Sequence, residues 1–450
     1  MIANKEIERL PQSAVKLSVT IEKDAVRAEY GDLLKKYSKT AKLKGFRPGH
    51  VPGDILEKKY GDSLKHEASA NIMEKALKDI FEQIDEKPLP YVTPELQGDF
   101  TPDLDKNLEF AVVYDVFPEV TVGEYRGLSA EEADVEISSE DEQREIDILR
   151  EQNALVVDKK EDTVAKNDIV TITYYEVDEG GKEIPNTRRE GFVFTVGTGY
   201  NLYKLDDDIV GMKKDTEKVI AKDFPEDFEY EILRGKKVTL KVTVTALKEK
   251  QLPEMDDELA QDISEKYKTL ADLKADIRQK LEEVLKNRLK SENISALIKK
   301  VVDASEVDLP KSMVSLELDQ MWHNFVSRLR GTEEQVEALL GREGKSKEEL
   351  FKEWTPAAER SAKTELVIHK MIEKESLVIT DNEIEDELKR EAESSNTPLE
   401  ELKAQYEKER VRDYLVEEMK KQKLYDIIIT AASITKGGKR KFMDVMGNNK

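Results

Sequence analysis

Lys35-Lys36-Tyr37-Ser38-Lys39-Thr40-Ala41-Lys42-Leu43-Lys44-Gly45-Phe46-Arg47-Pro48-Gly49-His50-Val51-Pro52-Gly53 is a basic stretch in a chain of formal net charge -23. No Asp or Glu falls between Asp32 and Asp54. A basic window in an acidic chain calls for an anionic partner. Pro48, Gly49, Pro52 and Gly53 stop the preceding helix and predict a short exposed loop. An aromatic ring and an arginine at a loop tip make the composition of an interaction hot spot. An ordinary helix-terminating surface turn has the same residues, so neighbouring segments must decide.

Upstream, Val15, Leu17, Val19 and Ile21 alternate as in a half-buried strand. Asp24 is placed to cap a helix whose apolar face is Val26, Tyr30, Leu33, Leu34, Tyr37 and Ala41. Downstream, a helix is predicted from about Glu67 to Asp85, then a strand through Phe110, Val112, Tyr114 and Val116. Strand, helix, loop, helix and strand make a small α+β domain over residues 1–117. Residues 118–160 read as a connector. Ser139 and Glu142 have capping-box spacing there, and the following helix, with Ile146 and Leu149, has little to bury.

The pattern changes over 161–249. Ile169–Tyr175, Phe192–Val196, Val219–Ala221 and Val238–Val244 read as strands of an antiparallel module with a short helix near Leu205–Val210. Residues 250–436 are helical, with start signals at Ser346/Glu349, Thr380/Glu383 and Thr397-Pro398/Glu400. Residues 437–450, rich in Gly and Lys, read as a disordered basic tail. The chain is thus a multidomain α+β protein: α+β domain, β module, extended all-α region. Charged residues at 38% and aromatics at 6% suit long solvated helices with thin apolar stripes. Cysteine is absent, which removes thiol chemistry. Met1–Pro11 is not a signal peptide, and no window approaches the ~18 consecutive apolar residues of a membrane helix. These features fit a cytoplasmic protein. Four scattered histidines offer no metal site, and Gly344-Lys345-Ser346 lacks the rest of a phosphate loop, so no cofactor is expected.

The run Gly45–Pro52 resembles the ribosome-docking signature of the bacterial trigger factor family, Gly-Phe-Arg-x-Gly-x-x-Pro. Pro48 and His50 stand where the family often has Lys, which weakens the positive charge. The order of domains is also that family's: a ribosome-binding domain, a prolyl isomerase domain of the FK506-binding type, and a helical chaperone body. The resemblance implies docking on the large ribosomal subunit, on exit-tunnel protein and ribosomal RNA. Gly45, Phe46, Arg47, Pro48 and Gly49 would form the contact, with Lys42, Lys44 and His50 steering toward RNA. It further implies nascent and unfolded polypeptides as clients, no nucleotide, no membrane, and a homodimer in equilibrium with monomer off the ribosome.

Within the β module, Gly197-x-Gly199 followed by Asp206–Met212 resembles the isomerase's central turn and short helix. Phe224-Pro225-Glu226-Asp227-Phe228 resembles its Phe-Pro-x-x-Tyr segment. The resemblance carries the pocket onto Tyr174, Ile184, Phe194, Val196, Leu202, Leu205, Phe228 and Leu240. The chemistry asks for a dry site: a twisted prolyl amide has lost resonance and is less polar than a planar one. A pocket that binds the twisted form best lowers a barrier of about 18–20 kcal/mol. Ile184, Leu205 and Leu240 are aliphatic where the family has aromatics, Phe228 lacks a hydroxyl, and Tyr203-Lys204 replaces the usual Pro-Gly. A retained fold with weakened catalysis is therefore open beside an active isomerase. In the helical region, Val314, Leu318, Met321, Trp322, Phe325 and Leu329 form a stripe that serves either as core or as a client cradle, with Met321, Trp322 and Phe325 as client-binding candidates. A stand-alone isomerase with accessory helices and a helical scaffold remain as alternatives.

Overall fold

The computed structural model describes residues 2–41, 43, 46, 50–98, 102–406 and 408–447, with two compact units. One comprises Met1–Glu132 and Glu292–Thr435, the other Ala133–Ser291 and Lys436–Lys450.

The first unit opens with an antiparallel sheet of β1 (Ile2–Leu10), β2 (Ala14–Ile21), β3 (Glu95–Gln97) and β4 (Leu108–Asp115), in the order β1-β2-β4-β3. Alternation in β2 buries Val15, Leu17, Val19 and Ile21, each within 2% of complete burial. Leu17 pairs with Val112 and Val19 with Phe110 on β4. β1 escaped sequence reading because it is a charged edge strand with no alternation to detect. Helix α1 (Lys23–Thr40) buries Val26, Tyr30 and Leu33; Glu22 takes its N-cap position, and Asp24 lies in the first turn instead of capping. The second helix is longer than predicted: α2 runs Gly53–Phe81. Its early turns have their own burial, since Leu64 and Ala68 pack on Tyr30 and Leu33. Its later turns set Ile72, Ala76 and Ile80 on the sheet.

Residues 118–132 are no bare connector. β5 (Val120–Thr121) leads to Gly123, where a Cβ would lie 2.7 Å from Ala304 Cβ, so the close approach requires glycine. Tyr125 and Ala130 then enter a core with Leu297, Val301, Val367, Met371, Leu424 and Ile428.

The second unit takes up the chain within β6 (Ser129–Glu136) and α3 (Ser139–Gln152). The cap of α3 is one residue earlier than predicted: Ser138 accepts from Asp141 N, and Asp141 accepts from Ser138 N. Nor does α3 have little to bury. Ile146 is 1% exposed and packs with Ala260, Tyr267, Leu273, Ile277 and Leu285. A thin stripe can still be fully used. A sheet follows from β7 (Leu155–Asp158), β8 (Ile169–Val177), β9 (Arg189–Thr195), β10 (Glu217–Asp223) and β11 (Lys237–Gln251), with order β10-β11-β8-β9 and β7 paired to β11. The short helix α4 (Asp206–Ile209) sits under it, with Ile209 in the sheet core.

α5 (Asp257–Ile263) and α6 (Leu270–Ala304) open the helical region, and β12 (Glu306–Val307) pairs with β5. Then come α7 (Lys311–Arg328), α8 (Glu333–Arg342), α9 (Lys347–Lys374), α10 (Asp381–Ser395), α11 (Leu399–Tyr406) and α12 (Glu409–Ala431). The predicted capping boxes at Ser346/Glu349 and Thr380/Glu383 are present.

The expected disordered tail is structured through Gly447. β13 (Ser433–Lys441) pairs with β6, and α13 (Phe442–Met446) buries Phe442 and Val445 in the core around Ile146. Two facts explain the difference. β6 is acidic where β13 is basic, with Lys436 Nζ 2.9 Å from Asp134. The Phe442-Met443-Asp444-Val445-Met446 run gives the end of the chain an apolar anchor.

Candidate functional site

The β module gathers most of the predicted pocket. Tyr174, Phe194, Val196, Leu205 and Leu240 are buried in one core, with Leu202 and Phe228 partly buried against it. Ile184 is half-buried and stands outside that cluster. Three more aromatics join it that the sequence did not single out as pocket residues: Phe192, Tyr203 and Phe224. Tyr174 meets Phe192 edge-on at 5.8 Å and Tyr203 at 5.5 Å between ring centroids. Phe224 lies 4.6 Å from Phe228. Val196, Leu205 and Leu240 are at most 1% exposed and share that core with the aromatics.

One carboxylate shapes the turn that leads from β9 to α4. Asp206 accepts from the backbone N–H of Gly197 at 2.7 Å, from Gly199 at 3.1 Å and from Asn201 Nδ2 at 2.6 Å. Burial would push its carboxyl up, but the Gly199, Gly197 and Asn201 hydrogen bonds outweigh it and hold the group below the usual range. Gly197 and Gly199 both have positive φ, which is why the turn spells Gly-x-Gly. Burial raises the Tyr174 hydroxyl, and burial with the Glu176 hydrogen bond raises that of Tyr203. Both phenols stay neutral, as a dry apolar site requires.

The basic stretch is split between helix and loop. Lys35, Lys36 and Lys39 are exposed on α1, and Lys35 pairs with Asp32 at 3.0 Å. Phe46 is 38% exposed and His50 is exposed. Val51, 1% exposed, anchors the loop's return, and its carbonyl accepts from the Ser38 hydroxyl at 2.5 Å. Lys42, Lys44, Gly45, Arg47, Pro48 and Gly49 lie outside the described residues.

The helical candidates separate. Trp322 is 1% exposed, in a core with Val326, Val336, Leu340 and Leu350. Its assignment as a client contact is thereby corrected: α8 and α9 cover the face of α7 that carries it. Met321 and Phe325 are half-buried. Phe351 and Trp354 complete the aromatic group, with Phe325 and Trp354 at 5.6 Å. Leu316 and Leu329 are exposed on the same helix or at its end. Among the described residues no cluster of His, Cys, Asp or Glu can hold a metal ion, and no helix is long and apolar enough to cross a membrane.

Residues 3–149 match the family described as bacterial trigger factor protein, and residues 269–430 match the C-terminus of the same family. A trigger factor of Treponema denticola is 41% identical over 445 residues, covering 98% of this chain and 99% of that one. Those of Treponema pallidum and Borrelia hermsii are 35% and 33% identical over 94% and 95% of this chain, and over 94% and 95% of their own lengths. A solved chain from work on "Promiscuous Substrate Recognition in Folding and Assembly Activities of the Trigger Factor Chaperone" superposes with a TM-score of 0.53. It is 21% identical and covers 94% of this chain and 99% of its own length, which shows the shared fold. With its sheet-and-helix N-terminal region, antiparallel module and helical region all accounted for along one relative, the chain belongs to the bacterial trigger factor family.

Proposed function

We propose that this chaperone docks on the large ribosomal subunit beside the tunnel exit and holds nascent chains there without ATP. The carrying observation is Phe46, 38% exposed on the loop that follows the exposed lysines of α1, within the family's docking signature. Phe46 and Arg47 supply the anchor, and Lys42, Lys44 and His50 the attraction to RNA phosphates. The work is divided among residues 1–117 for docking, 161–249 for prolyl isomerisation and 250–436 for holding clients in the cytoplasm. Met321 and Phe325 present apolar surface to clients. Off the ribosome the protein exchanges between monomer and homodimer.

The isomerase reading is supported by Tyr174, Phe194, Leu202 and Phe228 sharing one apolar core with Val196, Leu205 and Leu240. Isomerisation here needs no proton transfer. The walls exclude water, and the less polar twisted amide is favoured over the planar one.

Co-sedimentation with ribosomes at low and raised salt tests the docking. Wild type pellets, salt weakens it, and Phe46→Ala/Arg47→Ala stays in the supernatant. Equal pelleting of the double variant would reduce the loop to a turn.

A further inference from the structure

Seven rings of the β module form a continuous chain. Phe194 neighbours Phe192 at 5.7 Å, Phe192 neighbours Tyr174, and Tyr174 neighbours Tyr203. Tyr203 lies 6.4 Å from Phe224, which leads to Phe228 and then to Tyr230 at 5.9 Å. Among the described ring contacts, Tyr203 alone joins the wall from β8 and β9 to the wall from residues 224–230. It is 6% exposed and shares one buried core with Val196, Leu205 and Leu240.

We propose that Tyr203, latched by Glu176, is the residue that decides what enters the prolyl site: its ring fills the space a prolyl ring would take. The proposal rests on the isomerase reading above. A phenol ring is larger than a pyrrolidine ring, so the volume it vacates accepts a prolyl side chain and leaves the aromatic walls in place.

The part that moves can be identified from the bonds. The backbone around Tyr203 is tied down. Asp206 holds the turn at Gly197 and Gly199, and Asn201 Oδ1 accepts from Leu205 N at 2.7 Å. Lys222 Nζ donates to the Lys204 carbonyl at 2.9 Å. Lys204 has φ +50°, a left-handed conformation that these bonds enforce. The Tyr203 side chain is held by ring contacts and by one hydroxyl bond of 2.6 Å to Glu176 Oε1. Opening is therefore a side-chain rotation about a fixed loop, with loss of that bond. A site open only a fraction of the time binds its ligand more weakly by that fraction. If it is open about a tenth of the time, removing the ring strengthens binding about tenfold.

The test uses the full-length protein and a Phe-Pro tetrapeptide, with isomerisation followed by NMR exchange. The variants are Tyr203→Ala, Tyr203→Phe, Glu176→Ala and the double variant Tyr203→Ala/Glu176→Ala. Tyr203→Ala raises kcat/KM about tenfold, chiefly through KM. Tyr203→Phe and Glu176→Ala, which only release the latch, raise it severalfold. The double variant gains no more than Tyr203→Ala, because both changes act on one bond. The two latch variants keep the ring and the packing, so they decide the matter if Tyr203→Ala does not fold. If wild type turns over the peptide and the folded variants gain nothing, the gate is overturned and the isomerase reading stands. If neither wild type nor any variant turns over or binds the peptide, the isomerase reading falls and takes the gate with it.

Discussion

The Tyr125 hydroxyl donates a 2.6 Å hydrogen bond to the Glu375 carboxylate, 250 residues away in sequence. Arg126 adds bonds of 2.7 and 2.8 Å to the two carboxylate oxygens. Residues just after the N-terminal sheet are thus fixed to the end of α9, over the core that Tyr125 shares with Val367 and Met371. The Tyr125 and Arg126 hydrogen bonds hold the Glu375 carboxyl below the usual range against the opposing effect of burial. A depressed native value means stability that is present above the unfolded value, about 4.3 for Glu, and lost as pH falls through the native value. Glu375→Gln is expected to cost about 2 kcal/mol at pH 7 by urea unfolding, the scale of a charged hydrogen bond. The gap from wild type closes as pH drops below about 4.

The end of the chain is predicted to be structural. Deleting residues 442–450 removes Phe442 and Val445 from the core around Ile146, Leu281 and Leu285. Phe442→Ala alone is expected to cost about 3 kcal/mol, as large-to-small core changes do. Guanidinium unfolding of the full-length chain and of each variant measures this. A freely solvated tail would leave the midpoint unchanged.

The exposed lysines of α1 are predicted to set the salt dependence of ribosome binding. Removing one lysine–phosphate pairing lowers the slope of log K against log salt by about 0.7–0.9. Lys36→Gln/Lys39→Gln therefore flattens the slope by up to about two such steps if both touch phosphate. Phe46→Ala instead lowers affinity at every salt concentration with the slope kept. Titration of labelled protein against ribosomes at four salt concentrations separates the two effects.

Where burial follows local period, the sequence was readable. β2, β4, β8 and β11 alternate, and the inward residues read for β2 and, at Phe110, Val112 and Tyr114, for β4 are the buried ones. Period could not reveal β1, whose partners lie on one side only, or the early turns of α2, where Gly61 and Ala68 bury too little side chain to mark a stripe. It also could not reveal that residues 433–446 are ordered, because their partner β6 lies some 300 positions earlier and local composition resembles a linker. The candidate site was legible as a set of residues through family resemblance. The Tyr203–Glu176 hydrogen bond was not, because it depends on the tertiary placement of β8, which no local pattern around residue 203 encodes.

Trp322 and Phe325 sit one helical turn apart on α7, with ring centroids 6.0 Å apart, and are predicted to behave oppositely. Trp322 is enclosed by Val336, Leu340 and Leu350, and Lys347 Nζ lies 4.7 Å from its ring centroid. Trp322→Ala opens a cavity between α7, α8 and α9 and is expected to cost about 3–5 kcal/mol. The indole Nε1 is buried with no hydrogen-bond partner among the described residues, a cost the fold already carries. Trp322→Phe removes that donor and keeps a ring, so it should lie within about 1.5 kcal/mol of wild type. Phe325 is half-buried, so Phe325→Ala gives up less stability but removes apolar surface that the proposed holding role assigns to clients. Suppression of aggregation of a refolding protein, read beside urea midpoints, tells the two apart. Phe325→Ala should lose holding activity at a nearly native midpoint, and Trp322→Phe should keep both. If Phe325→Ala holds clients as well as wild type does, the aromatic group on α7 and α9 is core alone, and the client surface lies elsewhere.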